Sequence, residues 1–505
     1  MTDPRQPAKE PVGTFCLVLH THLPWLAHGG AWPVGEEWLH QAWSSAYRRI
    51  VGVLSELAEE GRRDLLTLGI TPVLAAQLDD PYCLSELHTW LGFWQTRAQE
   101  LAARREPHLR KLADYEFRAA STALADFEAR WRHGASAVLR PLVDDGVVEL
   151  LGGPATHPFM PLLDERVAAF QLRVGLADAR WRLGAAPAGI WAPECGYRPG
   201  LEHVYAAAGV LRFLVDGPSV AGATAEARLV GDSDVVAFAR DLDVTYRVWS
   251  PRRGYPGGRY YRDFHSFDHA SGFRAFRVTS TASTAEQKAP YDPVAGLAAA
   301  RADAADFVAV IEARLRRLRA ERGRPGLVVA AYDTELFGHW WHEGPEFLAA
   351  VLRLLPAAGV RVATLRGALE VGHLGGRVQL AESSWGSGKD WRVWQVPDLQ
   401  DQAWNVQDRL LRVVDKVVQA DTPRLPELDQ LAREALLATS SDWAFMVTKN
   451  SAPDYARRRA TEHADRFARL AEGIEAGWPD HRLSADLRRI DGPFGHLDAR
   501  LLARG

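Results

Sequence analysis

Short apolar runs alternating with amphipathic helical stretches limit this chain more than any other feature. The runs fall at 14–20, 65–71, 147–152, 189–193, 211–216, 246–250, 327–332 and 360–365. Helical spacing of apolar residues is clear over 36–60, 164–183, 298–322 and 346–355. Strands this apolar need cover on both faces, the condition met by a parallel sheet with helices outside it. With seven or eight strands in that pattern, the sequence predicts an α/β fold closed into a (β/α) barrel.

Two regions break the rhythm. Residues 85–133 are charged and helical and lie between two strand candidates, which predicts a helical insertion on the barrel rim. From 397 to 505 there is no strand pattern, and helical stretches at 400–419, 427–439 and 456–476 predict an all-helical C-terminal domain. The catalytic barrel is then expected over 1–84 and 134–396.

Composition narrows function by exclusion. A net charge of −4 leaves no polybasic signature, so nucleic acid is not an expected partner. Cys16, Cys83 and Cys195 are scattered, with no CxxC spacing. That predicts a reducing compartment, without a disulfide framework or a thiolate zinc site. The polar start MTDPRQPAKEPVG lacks the apolar core of a signal peptide. No stretch reaches the roughly 18 apolar residues of a membrane span. A cytoplasmic protein with no membrane partner is expected, of an oligomeric state the sequence leaves open. The 18 tryptophans among 505 residues stand out. Most tryptophans fill cores, yet their flat faces also stack on sugar rings while the indole N–H finds a polar partner.

Four polar clusters follow strand candidates, where barrel enzymes gather their chemistry. They run from His20 to Trp25, Glu149 to His157, Trp191 to Pro199 and Tyr332 to Trp341. Glycoside cleavage needs a carboxylate on one face of the anomeric carbon and a carboxylic acid beside the leaving oxygen. Glu194 and Asp333 each end an apolar run among Trp, Pro or Gly neighbours. Such surroundings raise one carboxyl, while Arg198 or a histidine is expected to keep the other ionised. Each acid also has an ordinary reading as a helix cap or loop carboxylate. On spacing alone Glu335 rivals Asp333. His20, His22, His157 and His339 read either as metal ligands or as partners of sugar hydroxyls and carboxylates. The pair His20-x-His22 is a weak zinc signal without a third and fourth ligand. No P-loop, dinucleotide fingerprint or GxSxG elbow is present.

These clusters resemble the motifs of glycoside hydrolase family 57, in particular its α-1,4-glucan branching enzymes with a DUF1957-type C-terminal helical domain. His22-Leu-Pro-Trp25 is similar to the first motif, with Trp where Tyr is common, and Gly146–Leu150 to the second. Trp191-Ala-Pro-Glu194 resembles the third, and the stretch from Tyr332 to Trp341 the fourth. The fifth falls around Glu382 to Gly386.

The resemblance implies a (β/α)7 barrel, a retaining mechanism on an α-glucan substrate, and no metal or other cofactor. It makes Glu194 the nucleophile and Asp333 the acid/base. An acceptor glucose 6-hydroxyl then gives a branch, and water gives hydrolysis. It also implies a gating tyrosine, here Tyr255 in the loop 251–258, and stacking tryptophans, here Trp385 and Trp394. Phe276 stands where some relatives carry a third stacking Trp. His20, His22, Trp25, His157, Trp191, Arg198, His339 and Trp340 complete the expected substrate contacts. The rival readings are an α-amylase or 4-α-glucanotransferase of the same family, a metal-dependent carbohydrate deacetylase, and a glucan-binding protein without activity.

Overall fold

The computed structural model describes residues 10–504 except 185, 251–253, 281 and 285–286. Its strands are β1 (Gly13–Thr21), β2 (Leu66–Ile70), β3 (Val148–Gly152), β4 (Gly189–Ile190) and β5 (Arg212–Val215). They continue as β6 (Ala227–Val230), β7 (Val236–Ala239), β8 (Gly326–Asp333), β9 (Val360–Val362) and β10 (Leu374–Val378). The sheet order is β10-β6-β7-β5-β4-β3-β2-β1-β8, with β9 beside the start of β1.

From β8 round to β7 every neighbouring pair is parallel. These seven strands curl into the barrel. The remaining seam is bridged by backbone hydrogen bonds from Asp241 to the Val329 carbonyl (2.8 Å) and from Leu327 to the Ala225 carbonyl (2.9 Å). β6 turns back antiparallel to β7 and carries β10 as an outer flap. All nine residues of β1 and all of β2, β3 and β5 are buried, as expected of strands sandwiched between helices and barrel interior.

One predicted strand is absent. Residues 246–250 fall in and just after a helix, Leu242–Val248, which Asp241 caps by accepting from the Val244 N–H. An apolar run of five residues fits helix and strand alike, and the Asp cap decides it. The strand lies just upstream, in β7. A short Gly-Asp-Ser-Asp turn is almost all that separates β6 from β7, and it blurs the alternation that would reveal them.

Helices Pro81–Ala102 and Pro107–Asp126 form an antiparallel pair, each started by Pro at its first turn, where a missing N–H does no harm. Their tip packs through Ala98, Leu101 and Leu112 against Phe273 and Ala275. Among the described residues after Pro397 all regular structure is helical, chiefly Pro397–Val417, Pro426–Ala438, Ser441–Thr448, Pro453–Glu475 and His481–Ile490. From Glu427 to Ala438 every residue is buried, so this helix is the spine of the C-terminal part. No described helix is long and apolar enough to cross a membrane.

Candidate active site

The strand β4 is short because the chain turns sharply into Trp191-Ala-Pro-Glu194. Glu194 and Cys195 both adopt left-handed backbone, φ 62° and 50°, at a cost of about 1–2 kcal/mol each for non-glycine residues. The turn is held from outside: the Trp385 N–H donates to the Glu194 carbonyl at 2.8 Å. Both carboxyl oxygens are then engaged. Oε2 accepts from the Trp385 indole at 2.7 Å and Oε1 from the Ser441 hydroxyl at 3.0 Å. Burial pushes Glu194 up to about 7; the two hydrogen bonds and His22 oppose it, and the Asp442 charge adds to it.

Asp333 ends β8 and pairs in register with His20 on β1. Burial raises its carboxyl well above the ordinary range, the charges of Glu335 and Glu194 raise it further, and Arg240 pulls it back. Two carboxyls that sense each other while one is held the more strongly protonated suit a nucleophile and an acid. Glu335, beside Asp333, has partners of its own. Its Oε1 accepts from the Tyr47 hydroxyl at 2.5 Å and from the His22 N–H at 3.2 Å, and burial lifts it to about 7.

The histidines form a stack beside the acids. His20 lies flat on Trp191 at 4.3 Å between centroids, and His22 on His157 at 3.7 Å. The Nε2 atoms of His20 and His157 are 3.0 Å apart, so one donates while the other accepts. Burial first, then the neighbouring histidines, lower both rings well below their usual range, which keeps them neutral as this contact requires. His22 is oriented by the Thr71 hydroxyl and by Asp442 Oδ2, each at 2.9 Å. Burial works against the Asp442 carboxylate, but His22, His157 and Ser440 outweigh it and hold the group below the usual range.

Donor atoms of His22, His157 and Asp442 lie within 4.8 Å of one another. Imidazole lone pairs lie in the ring plane, however. Two rings stacked at 3.7 Å and inclined by 20° point theirs side by side rather than at one ion. The geometry favours the hydrogen-bonded network.

Ser441 and Asp442 were not among the residues expected from sequence. Their one signal is the run Ser440-Ser441-Asp442-Trp443, which reads as an ordinary helix cap, and Ser440 is indeed the N-cap of Ser441–Thr448.

The expected substrate contacts divide. His20, His22, His157, Trp191 and Trp385 surround the acids. Trp394 is buried and stacked on Phe159 at 4.5 Å, bracing the Trp385 loop through Gly386. His339 is half-buried near Ser45, and burial lowers it to about 3; Trp340 beside it is 39% exposed. Arg198 turns to the Pro199 carbonyl, so Trp385, Ser441 and His22 do what was expected of it. Trp25 is buried, its indole donating to Asp491 at 3.0 Å. It joins barrel to C-terminal helices and has no face for a sugar. Phe276 packs under the tip of the helix pair. Tyr255 donates to Asp306 at 2.5 Å beneath the Arg247 guanidinium, so its hydroxyl is held by helix Pro293–Arg322. The first three residues of its loop, 251–253, lie outside the described residues. Glu149 of the second motif pairs with Arg212 at 2.6 Å and accepts from Thr67, a structural ion pair of the barrel interior.

Residues 16–377 match the family model for glycosyl hydrolase family 57, and residues 403–502 that for the 1,4-alpha-glucan branching enzyme C-terminal region. A probable 1,4-alpha-glucan branching enzyme of Mycobacterium tuberculosis is 53% identical, covering 97% of this chain and 98% of its own. The solved family 57 branching enzyme of Thermococcus kodakaraensis superposes with a TM-score of 0.92 at 30% identity, over 98% of this chain and 97% of that one. The α-amylase AmyC of Thermotoga maritima gives 0.88 at 27% identity, over 98% and 99%. A barrel match over residues 16–377, a matching C-terminal part and a near-full-length relative together establish that this chain belongs to glycoside hydrolase family 57.

Proposed function

We propose that this chain is a 1,4-α-glucan branching enzyme, acting by retaining transglycosylation with Glu194 as nucleophile and Asp333 as acid/base. The observation that carries the residue roles is the unequal treatment of the two carboxyls. Glu194 has a donor on each oxygen, which stabilises and aims a carboxylate. Asp333 is buried beside Glu335 and Glu194, and burial first, then their charges, favour its protonated form against the pull of Arg240.

In the first step Glu194 attacks the anomeric carbon of an α-1,4 linkage. The bond to the leaving 4-oxygen breaks and that oxygen takes the Asp333 proton. The glycosyl group is then an ester of Glu194. In the second step the Asp333 carboxylate removes the proton of an acceptor 6-hydroxyl, whose oxygen attacks the same carbon and releases Glu194. The second inversion restores the α configuration, as an α-1,6 branch. Neutral His20 and His157, bonded to each other and through His157 Nδ1 to the Ser441 hydroxyl, each at 3.0 Å, brace the donor on Glu194 without adding charge. The barrel, 1–84 and 134–396, carries the acids, the insertion 85–133 supports its rim, and residues 397–505 contribute Ser441 and Asp442. Three free, buried cysteines are in keeping with work in the cytoplasm.

If water takes the place of the acceptor, the same steps give an α-amylase, a reading favoured by the similarity to the Thermotoga α-amylase. Incubation with amylose, followed by NMR counting of α-1,6 linkages against reducing ends, separates the two. New reducing ends without new branches would reject branching.

A further inference from the structure

Two strand ends and the loop that carries Trp385 meet in a clamp that the carboxylate pair by itself does not require. Asp216 follows β5, is fully buried, and binds two cations. Its Oδ1 accepts from Arg240 Nε at 2.9 Å and pairs with Nη2 at 2.8 Å, while Oδ2 pairs with Lys389 Nζ at 2.6 Å. Arg240 follows β7 and is also buried. Its guanidinium lies over the Trp385 ring, 5.1 Å from the centroid, and donates to the Ala331 carbonyl at 3.4 Å. Lys389, in left-handed backbone at φ 62°, reaches back to the Trp385 carbonyl at 3.2 Å. Trp385 is therefore gripped on its face by Arg240 and at its carbonyl by Lys389. Both grips run through Asp216. What they hold in place is the indole N–H on Glu194 Oε2, at 2.7 Å.

Burying such charges adds little net stability, because desolvation offsets the attraction. The segment Gly386-Ser387-Gly388 is anchored at Ser387, whose hydroxyl accepts from Lys449 at 2.6 Å, and at Gly386 by Trp394, but neither contact reaches the Trp385 indole. Three charged groups that immobilise one tryptophan make physical sense where its position must be held to a fraction of an ångström. A planar guanidinium is well shaped for this, since it forks onto Asp216 while stacking on the indole, which an ammonium group does not.

We propose that Arg240, braced by Asp216 and assisted by Lys389, is a positioning residue that fixes the Trp385 indole on the nucleophile and sets the charge beside the acid/base. This rests on the roles assigned above to Glu194 and Asp333. The Asp333 carboxyl faces Glu335, Glu194, Asp442 and Arg240, and Glu194 faces Asp442 and His22. Without the guanidinium, Asp333 keeps its proton to higher pH. With the indole loosened, Glu194 does so too. Both limbs of the pH–rate profile move upward.

The test compares Arg240→Met, Arg240→Lys and Lys389→Met with wild type on amylose, reading kcat, KM, pH profile and thermal melt. Arg240→Met is expected to lower kcat about tenfold with KM within about twofold, the scale of one desolvated cation–π contact. Both limbs should rise, and Arg240→Lys should restore the basic limb but not the full kcat. Lys389→Met should give a smaller loss and raise only the acidic limb. A folded Arg240→Met variant with an unshifted profile overturns the proposal. If Arg240→Met does not fold, the Asp216→Asn/Arg240→Met double variant, which removes both buried charges, and Lys389→Met decide. A wild-type acidic limb in both overturns it. Turnover surviving in Glu194→Gln would instead reject the nucleophile assignment, whatever Arg240 does.

Discussion

The Ser441 hydroxyl donates to Glu194 Oε1 across 3.0 Å, although 247 positions separate them in the chain. Glu194, the proposed nucleophile, follows strand β4, and its hydrogen-bond partner lies on the first turn of a C-terminal helix. The next residue, Asp442, grips His22 from the same helix at 2.9 Å. The active site is thus closed by a part of the chain that has no strand in it.

Ser441→Ala should lower kcat on amylose by about tenfold to a hundredfold, the scale of a hydrogen bond to a charged group. The lost donor stabilised the Glu194 carboxylate, so Glu194 protonates at higher pH and the acidic limb moves up. A pH–rate profile with an unmoved acidic limb would show that Ser441 does not act on the nucleophile.

Asp442→Asn should move the profile the opposite way. The Asp442 charge raises both Glu194 and Asp333, so its removal lets each ionise at lower pH. Both limbs are expected to fall, by up to about one unit. The contrast in sign with Ser441→Ala separates charge from hydrogen bonding at two adjacent residues.

Glu335→Gln tests the rival acid. Burial lifts Glu335 to about 7 from an ordinary 4.5. The folded protein therefore holds a proton that the unfolded chain releases, and stability falls as pH rises between those values. Glutamine keeps an oxygen for Tyr47 and His22 without the charge. The variant should be stabilised relative to wild type at pH 8 by on the order of 3 kcal/mol, with the difference vanishing near pH 4. Thermal melts across pH check this. Turnover should persist in Glu335→Gln and be lost in Glu194→Gln; the reverse pattern would reassign the roles.

Trp25→Phe should destabilise the fold by about 1–3 kcal/mol, since it strands the buried Asp491 oxygen that the indole satisfies. KM for amylose should not change, because the ring does not face the cleft. A raised KM in a variant of wild-type stability would return Trp25 to the substrate site.

The barrel and its two acids are legible along the chain, because both are written locally. Apolar runs such as 14–20 and 327–332 emerge as β1 and β8, since a strand buried on both faces admits hardly any polar residue. Glu194 and Asp333 stand at the ends of such runs, where barrel chemistry gathers, and family motifs supply their expected roles. Where the local signal is equivocal, the expectation fails: the five residues at 246–250 become the end of a helix once Asp241 caps it.

What surrounds the acids is settled by the folded chain alone. The Tyr47 hydroxyl and the His22 N–H meet on one oxygen of Glu335, a partnership that its spacing from Asp333 does not show. Trp25 and Trp385 look alike along the chain, yet one is sealed against Asp491 and the other lies on Glu194. One cause is common to all these cases. A hydrogen bond or ion pair depends on where two side chains meet in space, and residues hundreds of positions apart leave no pattern in the sequence that records the meeting.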